Sequence, residues 1–93
     1  MIDPARYIAK IASKTRINEK TQRIAIDTMK EIIKRELSAG KNPVGLAAAV
    51  LYSSCLSNNE KITQKEIADA AGITEITVRN RFKDLKVNLS ILN

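Results

Sequence analysis

The stretch KEIADAAGITEITVRNRF, residues 65–82, holds two helical patterns that are separated at Gly72. Helix-forming residues run up to Ala71, and a second apolar pattern begins after Thr74. Two helices of about eight and about twelve residues, joined by a short turn that contains glycine, are typical of a helix-turn-helix. The sequence therefore predicts this motif over residues 64–86.

The residue types inside the predicted motif meet its packing requirements one by one. Ala68 lies where the two helices cross most closely, so only a small side chain fits there. Gly72 supplies the positive φ angle that the turn needs. The apolar residues expected to fill the space between the helices are Ile67, Ile73 and Val78.

One position departs from the usual helix-turn-helix pattern. An apolar residue is expected three positions after Val78, but Arg81 stands there and the apolar residue follows at Phe82. At about 100° per residue, Val78, Phe82 and Leu85 still form one apolar stripe. The pattern therefore predicts a second helix that is slightly rotated.

The opposite face of the second helix carries Ile76, Arg79, Asn80 and Lys83. Near the start of a recognition helix, an apolar side chain can pack on a thymine methyl group and an arginine can bond O6 and N7 of guanine. Asn80 is expected to read adenine or to hold a phosphate. The alternative is that Ile76 is an ordinary exposed apolar residue and Arg79 a solvated charge. Their joint placement on one outward face favours base reading.

Polar and basic residues at helix starts are a second class of candidate contact. Cations and hydrogen-bond donors beside the exposed amides of a helix N-terminus suit a DNA phosphate. Glu75 acts against this, because its carboxylate repels phosphate unless it accepts from a cytosine amine or favours the helix dipole. The predicted contacts to the DNA backbone are Lys41, Gln64, Lys65, Thr74, Thr77 and Lys83.

Capping residues divide the rest of the chain into helices. Asp3-Pro4 and Asn42-Pro43 each place a capping side chain before a proline at the first helical position, and Asn18 begins another helix. Thr63 and Glu66 have the spacing of a reciprocal capping box. The predicted helices span about 4–14, 19–38, 43–57, 64–71 and 75–86.

Apolar spacing predicts which helix faces are buried. The residues expected on these faces are Ile8, Ile11 and Ala12 in the first helix and Ile26, Met29, Ile33 and Leu37 in the second, which should end at Gly40. The third helix is apolar nearly all round and is therefore expected at the centre. Only Val87 to Leu92 alternates for long enough to suggest a strand. We predict one all-α domain of five helices over residues 1–93.

Composition limits the function classes. The chain has 93 residues, 44% of them hydrophobic, and carries a net charge of +6 with a pI near 9.7. This charge favours a polyanionic partner such as nucleic acid, although solubility alone could account for it. Cys55 is the single cysteine and there is no histidine, so neither a disulfide framework nor a four-ligand zinc site is expected.

Catalysis and membrane insertion are not expected. The sequence has no nucleophile with a base partner and no glycine-rich phosphate loop, so we predict no enzyme activity and no cofactor. The apolar run of residues 43–56 is too short to span a bilayer, and no signal peptide is recognised. An intracellular protein without a membrane partner is predicted.

Two stretches, GKNPVGLAAAVLYSSC (40–55) and ITQKEIADAAGITEITVRNRFKDL (62–85), closely resemble the second cyclin-like repeat of archaeal transcription factor B, the counterpart of eukaryotic transcription factor IIB. The resemblance implies a five-helix cyclin-like fold. It also implies the role of that family, whose members bridge the TATA-box-binding protein on promoter DNA to RNA polymerase. The second repeat of the family reads the recognition element upstream of the TATA box. Ile76 and Arg79 match the base-contacting pair of the family.

The resemblance also sets expectations about partners. Neither the zinc ribbon nor the first repeat of the family is present, so the chain is expected to be an excised domain that reaches RNA polymerase only through the missing regions. Double-stranded promoter DNA and the TATA-box-binding protein are the implied partners, in the cytoplasm of an archaeal cell. A monomer is expected. The rival hypothesis is a cyclin-like protein-interaction adaptor that does not read DNA sequence.

Overall fold

A computed structural model describes residues 4–36 and 42–89 of the chain. Within those ranges the protein forms five α-helices and no strand, which confirms the predicted all-α fold class. Asp3, Leu37, Gly40 and Lys41 lie outside the described residues. The helices are α1 (Pro4–Ser13), α2 (Glu19–Lys34), α3 (Pro43–Ser57), α4 (Gln64–Ala71) and α5 (Glu75–Leu89).

Side-chain caps begin α2, α3 and α4, as the sequence predicts. Asn18 Oδ1 accepts a hydrogen bond from the Thr21 amide at 2.9 Å. Asn42 Oδ1 accepts from the Val44 amide, also at 2.9 Å. Such caps satisfy backbone donors that a helix start would leave unpaired. The starts of these helices are therefore determined by residues close to them in the chain.

The central helix α3 contacts each of the other four helices. Its residues 45–51 are buried without interruption, and they include three consecutive alanines that allow close helix approach. Ile8, Ile11 and Ala12 of α1 are buried as predicted. The prediction of a surrounded, aliphatic third helix is thus confirmed.

Two helix ends differ from the predicted positions. α2 ends at Lys34, four residues before the predicted end at 38, because Glu36 adopts a positive φ of 59° that a continuing helix does not allow. α5 continues to Leu89, beyond the predicted end at 86. The suggested strand from Val87 is therefore wrong for residues 87–89, and its remainder lies outside the described residues.

The buried face of α2 also differs from the predicted one. Ile33 is 40% exposed, whereas the neighbouring Ile32 is 1% exposed. The face toward α1 and α3 includes Thr21 and Ala25, which a search for large apolar residues passes over. The buried face of α2 consists of four residues at helical spacing, Thr21, Ala25, Met29 and Ile32.

A buried hydroxyl ties the start of α2 to the connection between α3 and α4. Thr21 Oγ1 donates to the Glu60 carboxylate and accepts from Asn58 Nδ2 at 2.7 Å. Glu60 also accepts from the Asn18 amide at 3.1 Å. Because Glu60 lies just before α4, this network helps to place the helix-turn-helix on the domain.

Cys55 is a small buried side chain in α3. Burial raises the pKa of its thiol to about 12, and the nearby Glu60 charge adds to the rise. Since the thiolate is the reactive form, the native thiol should be inert. At pH 7 we expect a thiol reagent to label the native protein at least about a thousandfold more slowly than the denatured protein. Comparable labelling rates in buffer and in denaturant would contradict this burial.

Candidate nucleic-acid interface

The turn between α4 and α5 has the geometry of a helix-turn-helix. Gly72 lies in the left-handed region with φ 71° and ψ 31°, and the Ile73 amide donates to the Ala68 carbonyl at 3.0 Å. A Cβ at Gly72 would meet nothing within 4 Å. The glycine is therefore required by backbone conformation rather than by lack of space.

The inner faces of the two helices pack as predicted. Ile67 and Val78 are fully buried, Ala68 and Leu85 are 2% exposed, and Ile73 is partly buried against the core. At the entrance of α4, Thr63 and Glu66 form the reciprocal capping box. The buried residues of the two helices pack α5 against α4 and α3.

The outward face of α5 is open to solvent. Ile76 is 59% exposed, and Arg79, Asn80 and Lys83 are also exposed. Neither Arg79 nor Lys83 forms an ion pair with another residue of the described ranges. The prediction that Ile76 and Arg79 face solvent together is confirmed, and their contacts with bases stay a prediction.

Two threonines that were predicted to contact the DNA backbone, Thr74 and Thr77, close the first turn of α5. Thr74 Oγ1 accepts from the Thr77 amide at 3.2 Å, and the two hydroxyl oxygens are 2.8 Å apart. One hydroxyl proton joins the two oxygens, so the other remains able to donate. The cap of α5 can therefore also present a donor to a phosphate.

Arg81, which breaks the apolar pattern, lies against α3. Its Cγ would be 3.4 Å from a Cβ placed on Gly45, and its Nη1 is 3.2 Å from Asp84 Oδ2. The aliphatic stem of Arg81 therefore lies close to α3 at Gly45. On the other flank, the Phe82 ring meets Tyr52 edge-on with centroids 5.0 Å apart.

The start of α4 presents the remaining predicted phosphate contacts. Gln64 is partly exposed and Lys65 is exposed, whereas Lys41 lies outside the described residues. Lys65 Nζ is 3.1 Å from Asp69 Oδ2 on the next turn of the same helix. This pair was not predicted from the sequence, although a lysine and an aspartate four residues apart on a helix are a recognisable signal.

No cluster of three potential metal ligands occurs among residues 4–36 and 42–89. None of the helices described here is long and apolar enough to cross a membrane.

Comparison with known proteins agrees with this architecture. The family model described as Transcription factor TFIIB repeat matches residues 1–88. The transcription initiation factor IIB of Pyrodictium occultum is 47% identical over 91 residues, which cover 98% of this chain and 29% of that protein. The transcription initiation factor IIB of Pyrococcus furiosus is 46% identical over 90 residues, which cover 97% of this chain and 30% of that protein. The chain thus spans about 30% of the length of these curated relatives.

Proposed function

We propose, since the chain belongs to the transcription factor TFIIB family, that this domain is a promoter DNA-binding module of a general transcription initiation factor. It reads the recognition element upstream of the TATA box through the major groove. The observation that carries the proposal is the joint exposure of Ile76 and Arg79 on the outer face of a helix-turn-helix. Binding of this kind needs no catalytic group and no cofactor.

The chemistry of α5 suits base recognition. Its N-terminal half enters the major groove, where Ile76 packs on a thymine methyl group. Arg79 lies about one turn further on and donates two hydrogen bonds to O6 and N7 of a guanine. Because Arg79 has no carboxylate partner among the described residues, binding a base does not require it to leave one. Asn80 reads an adenine or holds the adjacent phosphate.

Contacts to the sugar-phosphate backbone fix the register of α5 without reading sequence. Lys65 and Lys83 supply charge, and the net charge of +6 supplies the long-range attraction. The proposed backbone contacts are Lys41, Gln64, Lys65, Thr74, Thr77 and Lys83.

The proposed setting follows from the family. The domain acts as a monomer on chromosomal DNA inside an archaeal cell, beside the TATA-box-binding protein. RNA polymerase is reached through regions of the full factor that this chain does not include. An isolated domain offers a small interface with DNA, so its affinity depends on those neighbours.

Salt dependence tests the proposal. If three to four phosphates are neutralised, the affinity for a duplex with the upstream element should fall roughly 40- to 150-fold between 50 and 200 mM salt. Fluorescence anisotropy with matched and scrambled duplexes measures both this slope and the sequence preference. A shallow slope without sequence preference would contradict the proposal and favour the protein-interaction adaptor.

A further inference from the structure

Asp69 is an acidic residue of α4 that pairs with one lysine and lines a depression with two others. Its Oδ2 lies 3.1 Å from Lys65 Nζ, and both side chains are largely exposed, at 68% and 70%. Asp69 also lines a shallow depression between α1 and the turn at Gly72, together with Lys10 and Lys14. Among the described residues that line this depression, Asp69 is the only carboxylate.

Two lysines line the same depression, Lys10 in α1 and Lys14 just after its end. Lys10 and Lys14 are exposed, and neither forms an ion pair with another residue in the described ranges. Lys10, Lys14 and Lys65 are called the lysine cluster. Lys14 and Asp69 also line a second depression, whose lining includes Glu60 and Glu66. The cluster lies beside the turn that leads into α5 and at the first turn of α4, where a phosphate contact is proposed.

We propose that Asp69 competes with DNA phosphate for the lysine cluster and so lowers the affinity of the domain for a duplex of any sequence. The inference rests on the proposed DNA binding. A carboxylate and a phosphate offer the same anionic oxygens to an ammonium group, so Lys65 exchanges one for the other on binding.

Substituting Asp69→Asn tests the competition, because asparagine keeps the size and removes the charge. We expect binding to matched and scrambled duplexes to tighten equally, by about two- to fivefold at low salt. The slope of log K against log salt should steepen by about 0.9, as one more phosphate becomes neutralised. Asp27→Asn is the control. It makes the same charge change on α2, which within the described residues contacts α1 and α3 but neither α4 nor α5.

A further variant tests whether the effect of Asp69→Asn depends on the lysine cluster. In a variant with Lys10, Lys14 and Lys65 all changed to glutamine, Asp69→Asn should tighten binding no more than Asp27→Asn does. Thermal melts of each variant confirm that the exposed substitutions leave the domain folded. If the gain persists without the lysines, or if Asp27→Asn matches it in the wild type, the competition is disproved.

The measurement separates this inference from the proposed function. Base reading is reported by the ratio of matched to scrambled affinity, whereas the competition is reported by the affinity for scrambled duplex alone. A ratio of one in the wild type with a gain in Asp69→Asn would reject base reading and support the competition. A normal ratio with no gain would reject the competition only.

Discussion

Replacing Ile32 with alanine should lower the free energy of unfolding by about 2–5 kcal/mol. Ile32 is 1% exposed and packs on the face of α2 that meets α1 and α3. Truncation removes buried methyl and methylene groups and leaves a cavity that close-packed neighbours fill only partly. Urea denaturation followed by circular dichroism measures the change.

Ile33 provides a matched control one residue away. The same substitution there should cost less than about 1 kcal/mol, because the side chain is 40% exposed and leaves no closed cavity. The sequence pattern alone ranks these two residues the other way, since it places Ile33 on the buried face. Equal losses at the two positions, or a larger loss at Ile33, would mean that α2 is rotated relative to the structure.

Replacing Arg79 with alanine should weaken binding to the matched duplex by about 1–3 kcal/mol and remove the preference at one base pair. The exposed guanidinium has no ion-pair partner in the described part of the chain, so its loss should barely alter folding stability. Anisotropy titrations against duplexes with each base pair substituted in turn would locate the preference.

Arg81 is the matched control for Arg79. Its stem packs near Gly45 and its guanidinium pairs with Asp84, so Arg81→Ala should lower stability by about 1 kcal/mol. The discrimination between base pairs should remain. If Arg79→Ala weakened matched and scrambled duplexes equally, Arg79 would be a backbone contact and not a base reader.

The outward positions of Ile76 and Arg79 could be predicted from the sequence, because both residues lie on one helix, α5. With α5 starting after Thr74 and Val78 buried, the 100° step places Ile76 and Arg79 on the far side. Ionic partners were harder to predict. Lys65 was expected to be available for phosphate, yet it pairs with Asp69. The spacing of four residues allows this pair, but whether an exposed pair forms depends on side-chain rotamers that the spacing does not determine.

The amino-acid sequence by itself determined the number of helices, their starts and the turn at Gly72. These features depend on hydrogen bonds and dihedral angles within a few residues of one another, such as the cap at Asn18. Only the tertiary structure decided that Ile32 rather than Ile33 is buried and that the stem of Arg81 lies near Gly45. The burial of Ile32 depends on how α2 packs on α1 and α3, and the position of Arg81 depends on how α5 packs on α3. These contacts join residues that are far apart in the chain, so the local sequence does not determine them.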